Sequence, residues 1–214
     1  MELISICGHT FIDKLDSDSV VVDLGANRGI FSKGILDRYD CKVVAYEPSR
    51  LLCNNELADL KKQYSNFSFK QNAVWSRQKT MTLSDFYDDN GNTSGVANSL
   101  IPHKRDRRND GRYIREKYDV KCVSINNILK NYEKIDILKI DIEGSEIEVL
   151  NSALDKHLSK CDQVCVEFHL FCQHEYETKI TIDDLVKIVK KMENIGFESR
   201  KTNSKHPDYL FYKK

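Results

Sequence analysis

The chain has 214 residues, 40% hydrophobic and 31% charged, which is room and composition for one ordinary α/β domain with a full core. Its 33 lysines and arginines balance 33 aspartates and glutamates, so net charge gives no reason to infer a nucleic-acid or membrane partner. Seven cysteines in no framework, no secretory leader pattern and no apolar run near the roughly 18 residues of a membrane helix point to reduced thiols in a cytoplasmic protein.

In the first 18 residues, Leu3, Ile6, Phe11, Ile12 and Leu15 form a modest amphipathic pattern, read as a short covering helix. Val20, Val21 and Val22 then make the short β-branched run of a strand covered on both faces. Asp23 closes it, and Gly25 and Gly29 flank Ala26, Asn27 and Arg28, a turn that lets a ligand approach the backbone. Ile30, Phe31, Ile35 and Leu36 follow at helical spacing. This strand, glycine turn and helix lack the G-x-G-x-x-G spacing that a nicotinamide dehydrogenase requires. The acid followed by G-x-x-x-G resembles the first motif of S-adenosylmethionine-dependent methyltransferases of the Rossmann-like class.

The next strand, Lys42 to Tyr46, ends in Glu47 and Pro48. An acid roughly 20 residues past the glycine turn is placed to accept hydrogen bonds from both ribose hydroxyls of an adenosine. Leu51 to Tyr64 reads as a helix and Phe67 to Lys70 as a third strand. Ligands of open α/β sheets bind beyond the carboxyl ends of the strands, so Asn72 and Ala73 are candidates for the adenine ring.

Residues 76–119 read as a variable insertion within a single domain of 1–214. Lys79 to Phe86 alternates as a strand, and Asp88 to Asn92 is turn-rich, without the ligand spacing of a calcium loop. His103 to Arg115 is a basic segment, either a clamp for an anionic acceptor or a solvated loop. Gripping of RNA by this segment is the nucleic-acid alternative, weakened by the presence of one aromatic, Tyr113. Val120 to Val123 is a further strand, followed by a helical turn at Ile125 to Leu129.

Ile135 to Ile140 leads into the second chemically loaded stretch. Charged and apolar residues alternate from Lys139 to Glu143, so Lys139, Asp141 and Glu143 share one face of an extended strand, and charges on a central strand must pair with one another, a ligand or a metal. Val22 to Gly29, read with Ile137 to Leu150 (Ile-Leu-Lys-Ile-Asp-Ile-Glu-Gly-Ser-Glu-Ile-Glu-Val-Leu), resembles the FkbM family of methyltransferases over roughly Val20 to Phe168. The resemblance implies an S-adenosylmethionine-dependent O-methyltransferase acting on a hydroxyl of a sugar, glycan or natural product. It carries the cofactor role onto Asp23, Gly25, Asn27, Gly29 and Glu47, and the acidic motif onto Asp141 and Glu143. The Asp/Asn-Pro-Pro-aromatic motif of adenine-N6 methyltransferases is absent where Asp141 to Gly144 stands.

Gln163 to His169 reads as another strand, with Glu167 and His169 on one face near Asp141 and Glu143. His169 is a candidate general base and Lys139 a further catalytic candidate. Asp141 and Glu143 are alternatively ligands for a magnesium or calcium ion, since carboxylates favour hard cations. Cys161, Cys165, His169, Cys172 and His174 have no C-x-x-C half-site, which argues against zinc. Thr181 to Ile195 is a helix closed by Gly196, and Phe197 to Arg200 with Tyr209 to Tyr212 form a final strand pair. The expected fold is a Rossmann-like class I methyltransferase, a seven-stranded mostly parallel sheet with an antiparallel last strand and helices on both faces. The rival of another class is a non-catalytic binding module on the same scaffold.

Overall fold

The computed structural model describes residues 2–87, 98–101, 114–170, 181–204 and 206–214. The expected turn at 88–92, most of the basic segment 103–115, and Cys172 and His174 lie outside the described residues.

The core is a seven-stranded sheet. β3 (Val20–Leu24), β4 (Lys42–Tyr46), β5 (Phe67–Lys70), β9 (Ile135–Ile140) and β10 (Cys161–Glu167) run parallel, and β12 (Asp208–Tyr212) lies antiparallel between β10 and β11 (Glu198–Lys201). The spatial order is β11-β12-β10-β9-β3-β4-β5, so β3 and β9, which carry the two motifs, are neighbours. Neighbouring residues feed opposite layers. Val21, Val43 and Ile137 pack with α1 (Ile30–Tyr39) on one face, while Val22, Val44 and Leu138 pack with α5 (Glu146–Ser152) and α7 (Ile182–Asn194) on the other. That two-sided burial is what the continuous Val and Ile runs encode.

The amino-terminal segment is a hairpin instead of the expected helix. β1 (Leu3–Ile6) and β2 (His9–Ile12) pair through a two-residue turn in which Cys7 and Gly8 both have positive φ, 49° and 84°. Such turns match the twist of hairpin strands. The apolar side chains serve a sheet face here: Phe11 and Ile12 are buried, and the Gln163 side chain bonds both the N–H and the carbonyl of Ile12 (2.7 and 3.1 Å).

A second, three-stranded sheet stands beside the first. β6 (Ala73–Trp75) is parallel to β8 (Ile114–Ser124), which pairs antiparallel with β7 (Lys79–Tyr87). The stretch after β5 is therefore a strand in its own right. The helical region after β4 spans α2 (Arg50–Leu52), a π-helical turn over Cys53–Leu57 and α3 (Ala58–Gln63). Among the described residues no helix is long and apolar enough to cross a membrane.

Candidate functional site

The site forms at the carboxyl ends of β3, β4 and β9. The N–H groups of Gly25 and Ala26 both donate to the Tyr46 carbonyl (2.9 and 3.1 Å), and the Asp141 N–H donates to the Leu24 carbonyl at 3.0 Å. Gly25 has φ 83°, and a Cβ there would stand 1.8 Å from the Asp141 carbonyl oxygen. Only glycine lets these two chain segments meet.

Beneath this turn lies a buried ion pair. Lys139 Nζ stands 3.0 Å from Asp23 and donates to the Gly25 carbonyl at 2.6 Å, while Asp23 also accepts from the Ser32 hydroxyl at 2.7 Å. Burial acts to lower the Lys139 ammonium, but Asp23 and Asp141 outweigh it and hold it above the ordinary lysine range. Asp23 and Lys139 thus brace the turn from below, and Lys139 also lines the cavity on the far side of Asp141. Gly29 has a packing role, since a Cβ there would meet Leu57 and Leu60 at 2.9 and 3.0 Å.

A cleft of about 580 Å³ opens on the β4 side, lined among others by Gly25, Asn27, Glu47, Asn72, Ala73 and Asp141. Glu47 is buried, and its two oxygens accept from the N–H groups of Asn27 (2.8 Å) and Ser49 (2.9 Å). Each carboxylate oxygen keeps a further lone pair for a hydroxyl donor. Burial pushes the Glu47 carboxyl up to about 7 against the lowering effect of those two N–H donors, and Asp85 adds to the rise. Asn72 donates its side-chain amide to the Lys121 carbonyl at 3.2 Å, tying the cleft wall to β8.

At the other end of the cleft the charges converge. β9 ends at Ile140, so the expected extended alternation stops there; Glu143 and Gly144 turn with φ 52° and 103°. The cause is Glu146, a buried residue whose Oε1 accepts from the N–H groups of Ile142 (3.0 Å) and Gly144 (3.1 Å). Glu146 also holds His169, at 3.0 Å from Nδ1. His169 lies two residues past the end of β10 instead of within it, and its Nε2 is 3.8 Å from Asp141 and 3.6 Å from both Glu143 and Glu167. Burial acts to lower the His169 imidazolium, but Glu146 first, then Glu143 and Asp141, outweigh it and raise it to about 10. At neutral pH His169 therefore carries its proton. Burial opposes ionisation of Asp141 too, but Lys139, His9 and His169 hold its carboxyl below the usual carboxylate range.

Sequence reasoning missed His9, Glu146 and Ser99 as site residues. The hairpin turn delivers His9, whose Nε2 is 3.4 Å from Asp141 and whose ring meets Phe31 edge-on. His9, Cys7, Arg28 and Glu167 line a second cavity of about 740 Å³, open to solvent like the first, which shares Gly25, Asn27 and Asp141 with it. Ser99 donates its hydroxyl to the Glu143 carbonyl at 2.6 Å and bridges to Ser84 on β7. The only signals for these were a glycine at 8 and the glutamate in the motif already quoted. Among the described residues, two sets of donor atoms lie within 4.8 Å of one another: His9, Asp141 and Glu167, and Asp141, Glu143 and His169. Cys161 and Cys165 are buried free thiols.

Comparison with known proteins gives concordant results. Residues 23–199 match the family model described as the methyltransferase FkbM domain. Methyltransferase sdnD of Sordaria araneosa is 28% identical over 183 residues, 73% of this chain and 68% of that protein. Methyltransferase 1 of Beauveria bassiana is 25% identical over 188 residues, 78% of this chain and 74% of that one. The structure of the Methanococcus jannaschii fibrillarin pre-rRNA processing protein is similar in fold, with a TM-score of 0.51 at 13% identity over 99% of this chain and 81% of that chain.

Proposed function

Since the chain belongs to the FkbM family of methyltransferases and has the class I S-adenosylmethionine-dependent methyltransferase fold, we propose that it methylates a hydroxyl oxygen of a sugar, glycan or natural product. In this reading Glu47 would hold the ribose and Asn72 and Ala73 would flank the base of an adenosine bound in the cleft, whose opposite end is lined by Asp141. Bound S-adenosylmethionine would supply a methyl group already activated by its positive sulfur, while the Asp141 and Glu143 carboxylates would orient the acceptor hydroxyl and take up the proton it loses as its oxygen gains the methyl. Most of the rate comes from holding oxygen, methyl and sulfur in line.

The observation that supports this best is the place of Asp141, where the cleft, the second cavity and the His9, Glu143 and His169 side chains all meet. Asp141 and Glu143 accept the acceptor's hydrogen bond, and protonated His169 steadies the two carboxylates. As His169 already holds a proton at neutral pH, base catalysis by it requires the bound ligands to displace that proton.

A divalent cation of the magnesium or calcium kind is the second reading, favoured by the grouping of Asp141, Glu143 and His169 donors. It would bind paired hydroxyls of the acceptor. An RNA 2′-hydroxyl remains the alternative acceptor and a non-catalytic module the alternative class. The reading places the protein in a reducing compartment such as the cytoplasm, as its buried free thiols suit.

Transfer of a labelled methyl group to a panel of glycan, small-molecule and RNA acceptors tests the reading. Asp141→Asn is expected to keep cofactor affinity and lose most transfer. Unchanged transfer in Asp141→Asn and Glu143→Gln would sink the assignment. Treatment with a chelator followed by magnesium or calcium decides the cation reading, which predicts loss and then recovery of transfer.

A further inference from the structure

The turn after β4 is held from a direction that the glycine turn does not explain. Ser49, whose N–H bonds Glu47, donates its hydroxyl to Asp85 Oδ2 on β7 at 2.8 Å. The same oxygen accepts from the Tyr118 hydroxyl on β8 at 2.6 Å. Tyr118 in turn accepts from the Arg50 N–H at 3.0 Å, and the Arg50 guanidinium lies 4.1 Å from the centre of its ring. Asp85 is completely buried, and its other oxygen has no hydrogen-bond partner among the described residues.

Both hydroxyl donors end on one oxygen of Asp85, so the network leaves the buried carboxylate half satisfied. What it does achieve is to fix Ser49 and Arg50, the residues that follow Glu47 and Pro48. A buried acid is a poor choice for packing alone, because an apolar side chain would fill the space without a desolvation cost. We propose that Asp85 and Tyr118 are positioning residues of the cofactor site, which hold the Glu47 carboxylate for the ribose through Ser49 and make the β7–β8 sheet part of that site. The inference rests on the reading of Glu47 as the ribose acceptor.

The negative charge of Asp85 has a second effect. The groups that face Glu47 are Asp85 from β7, Lys139 from β9, Cys53 from the π-helical turn, whose thiol donates to the Glu47 carbonyl at 3.2 Å, and the N–H of Asn27. Asp85 opposes ionisation of Glu47 and Lys139 favours it, while burial dominates both. Removal of the Asp85 charge therefore lets Glu47 ionise at lower pH. The same sheet also touches the acceptor side through the Ser84 and Ser99 bridge, so it connects the two halves of the site.

The test is calorimetric titration of S-adenosylmethionine into wild type, Glu47→Gln, Asp85→Asn, Tyr118→Phe and Ser49→Ala, from about pH 5 to about pH 9. Asp85→Asn keeps an acceptor oxygen for both hydroxyls but has no charge, so the pH midpoint of cofactor affinity is expected to fall below the wild-type value. Tyr118→Phe and Ser49→Ala are expected to weaken the cofactor about tenfold, as loss of one buried hydrogen bond implies, with the KM of the hydroxyl acceptor unchanged at saturating cofactor. Ser49→Ala cuts the link without touching the sheet, so it reports even if a sheet variant fails to fold. A wild-type midpoint in Asp85→Asn, together with wild-type affinity in Ser49→Ala, would overturn the proposal. If Glu47→Gln itself binds the cofactor with wild-type affinity and pH dependence, the ribose reading fails and this inference falls with it.

Discussion

The carbonyl oxygen of Asp141 occupies the place where a side chain on Gly25 would begin, 1.8 Å from the position of a Cβ. The two motifs of the chain, 116 residues apart, are thereby in backbone contact, and the cofactor turn and the acidic turn form one object. Gly25→Ala forces these segments apart and places alanine at φ 83°. Left-handed strain of about 1–2 kcal/mol together with overpacking predicts a stability loss of about 2–5 kcal/mol. Denaturant unfolding measures it, and cofactor binding is expected to vanish with it.

The affinity for S-adenosylmethionine is predicted to rise with pH through about 7, because the Glu47 carboxyl titrates there and its ionised form is the better acceptor for two ribose hydroxyls. The effect on stability has the opposite sign. The folded state holds this proton more tightly than the unfolded chain, so this group's contribution is fully present below the ordinary glutamate value and is lost as pH rises through about 7. Glu47→Gln should flatten both profiles, measured by calorimetry and by thermal unfolding in the same buffers.

Asp23 and Lys139 form a pair that is almost wholly buried, at 0% and 3% side-chain exposure. Removal of one partner leaves a charge in the core. Lys139→Met alone is predicted to cost about 3–5 kcal/mol, and Asp23→Asn a similar amount. The double variant should recover part of that loss in chemical denaturation, since the fully buried Asp23 charge goes with its partner and Asp141 keeps His9 and His169.

Glu146 accepts from the backbone N–H groups of Ile142, Gly144 and His169 and holds the His169 ring at Nδ1. Glu146→Ala removes this shared acceptor and is predicted to lose about 2–4 kcal/mol of stability. Methyl transfer should fall further than cofactor affinity does, because the acidic turn and His169 lie at the acceptor end. Glu146→Gln, which keeps an acceptor oxygen, should restore stability more than transfer. Equal recovery of both would argue for a purely structural Glu146.

The parts of the fold legible in the sequence are those whose signal is local. β3, the glycine turn, β4 with Glu47 and β9 declare themselves through apolar runs, glycines and charges close together in the chain, whereas the turn after Ile140 does not, because the Glu146 side chain that makes it is buried against Ile142 and Gly144. The amino-terminal hairpin does not, because Leu3, Ile6, Phe11 and Ile12 suit a helix as well as a strand, and the choice is made by Gln163, 151 residues from Ile12. His9 was missed for that reason. Ala73 to Trp75 is legible only as the stretch beyond the third strand, because its partner, β8, lies 49 residues on. Asp23 and Gly29 as cofactor positions and Lys139 as a catalytic candidate are legible from the motifs, but that Asp23 and Lys139 also brace the turn and Gly29 packs on Leu57 and Leu60 depends on burial and partners that no spacing reveals. The link from Asp85 to Ser49 and Tyr118 likewise spans 36 and 33 residues and exists only in three dimensions.

The central claim is that the cleft between Gly25 and Glu47 is the S-adenosylmethionine site. Calorimetric titration of the purified protein with S-adenosylmethionine and, separately, with NAD, each repeated on Glu47→Ala, tests it most directly. The predicted result is binding of S-adenosylmethionine alone, weakened at least about tenfold by the substitution, as loss of the hydrogen bonds to a carboxylate implies. Wild-type affinity in Glu47→Ala, or no binding of S-adenosylmethionine to the unaltered protein, would contradict it.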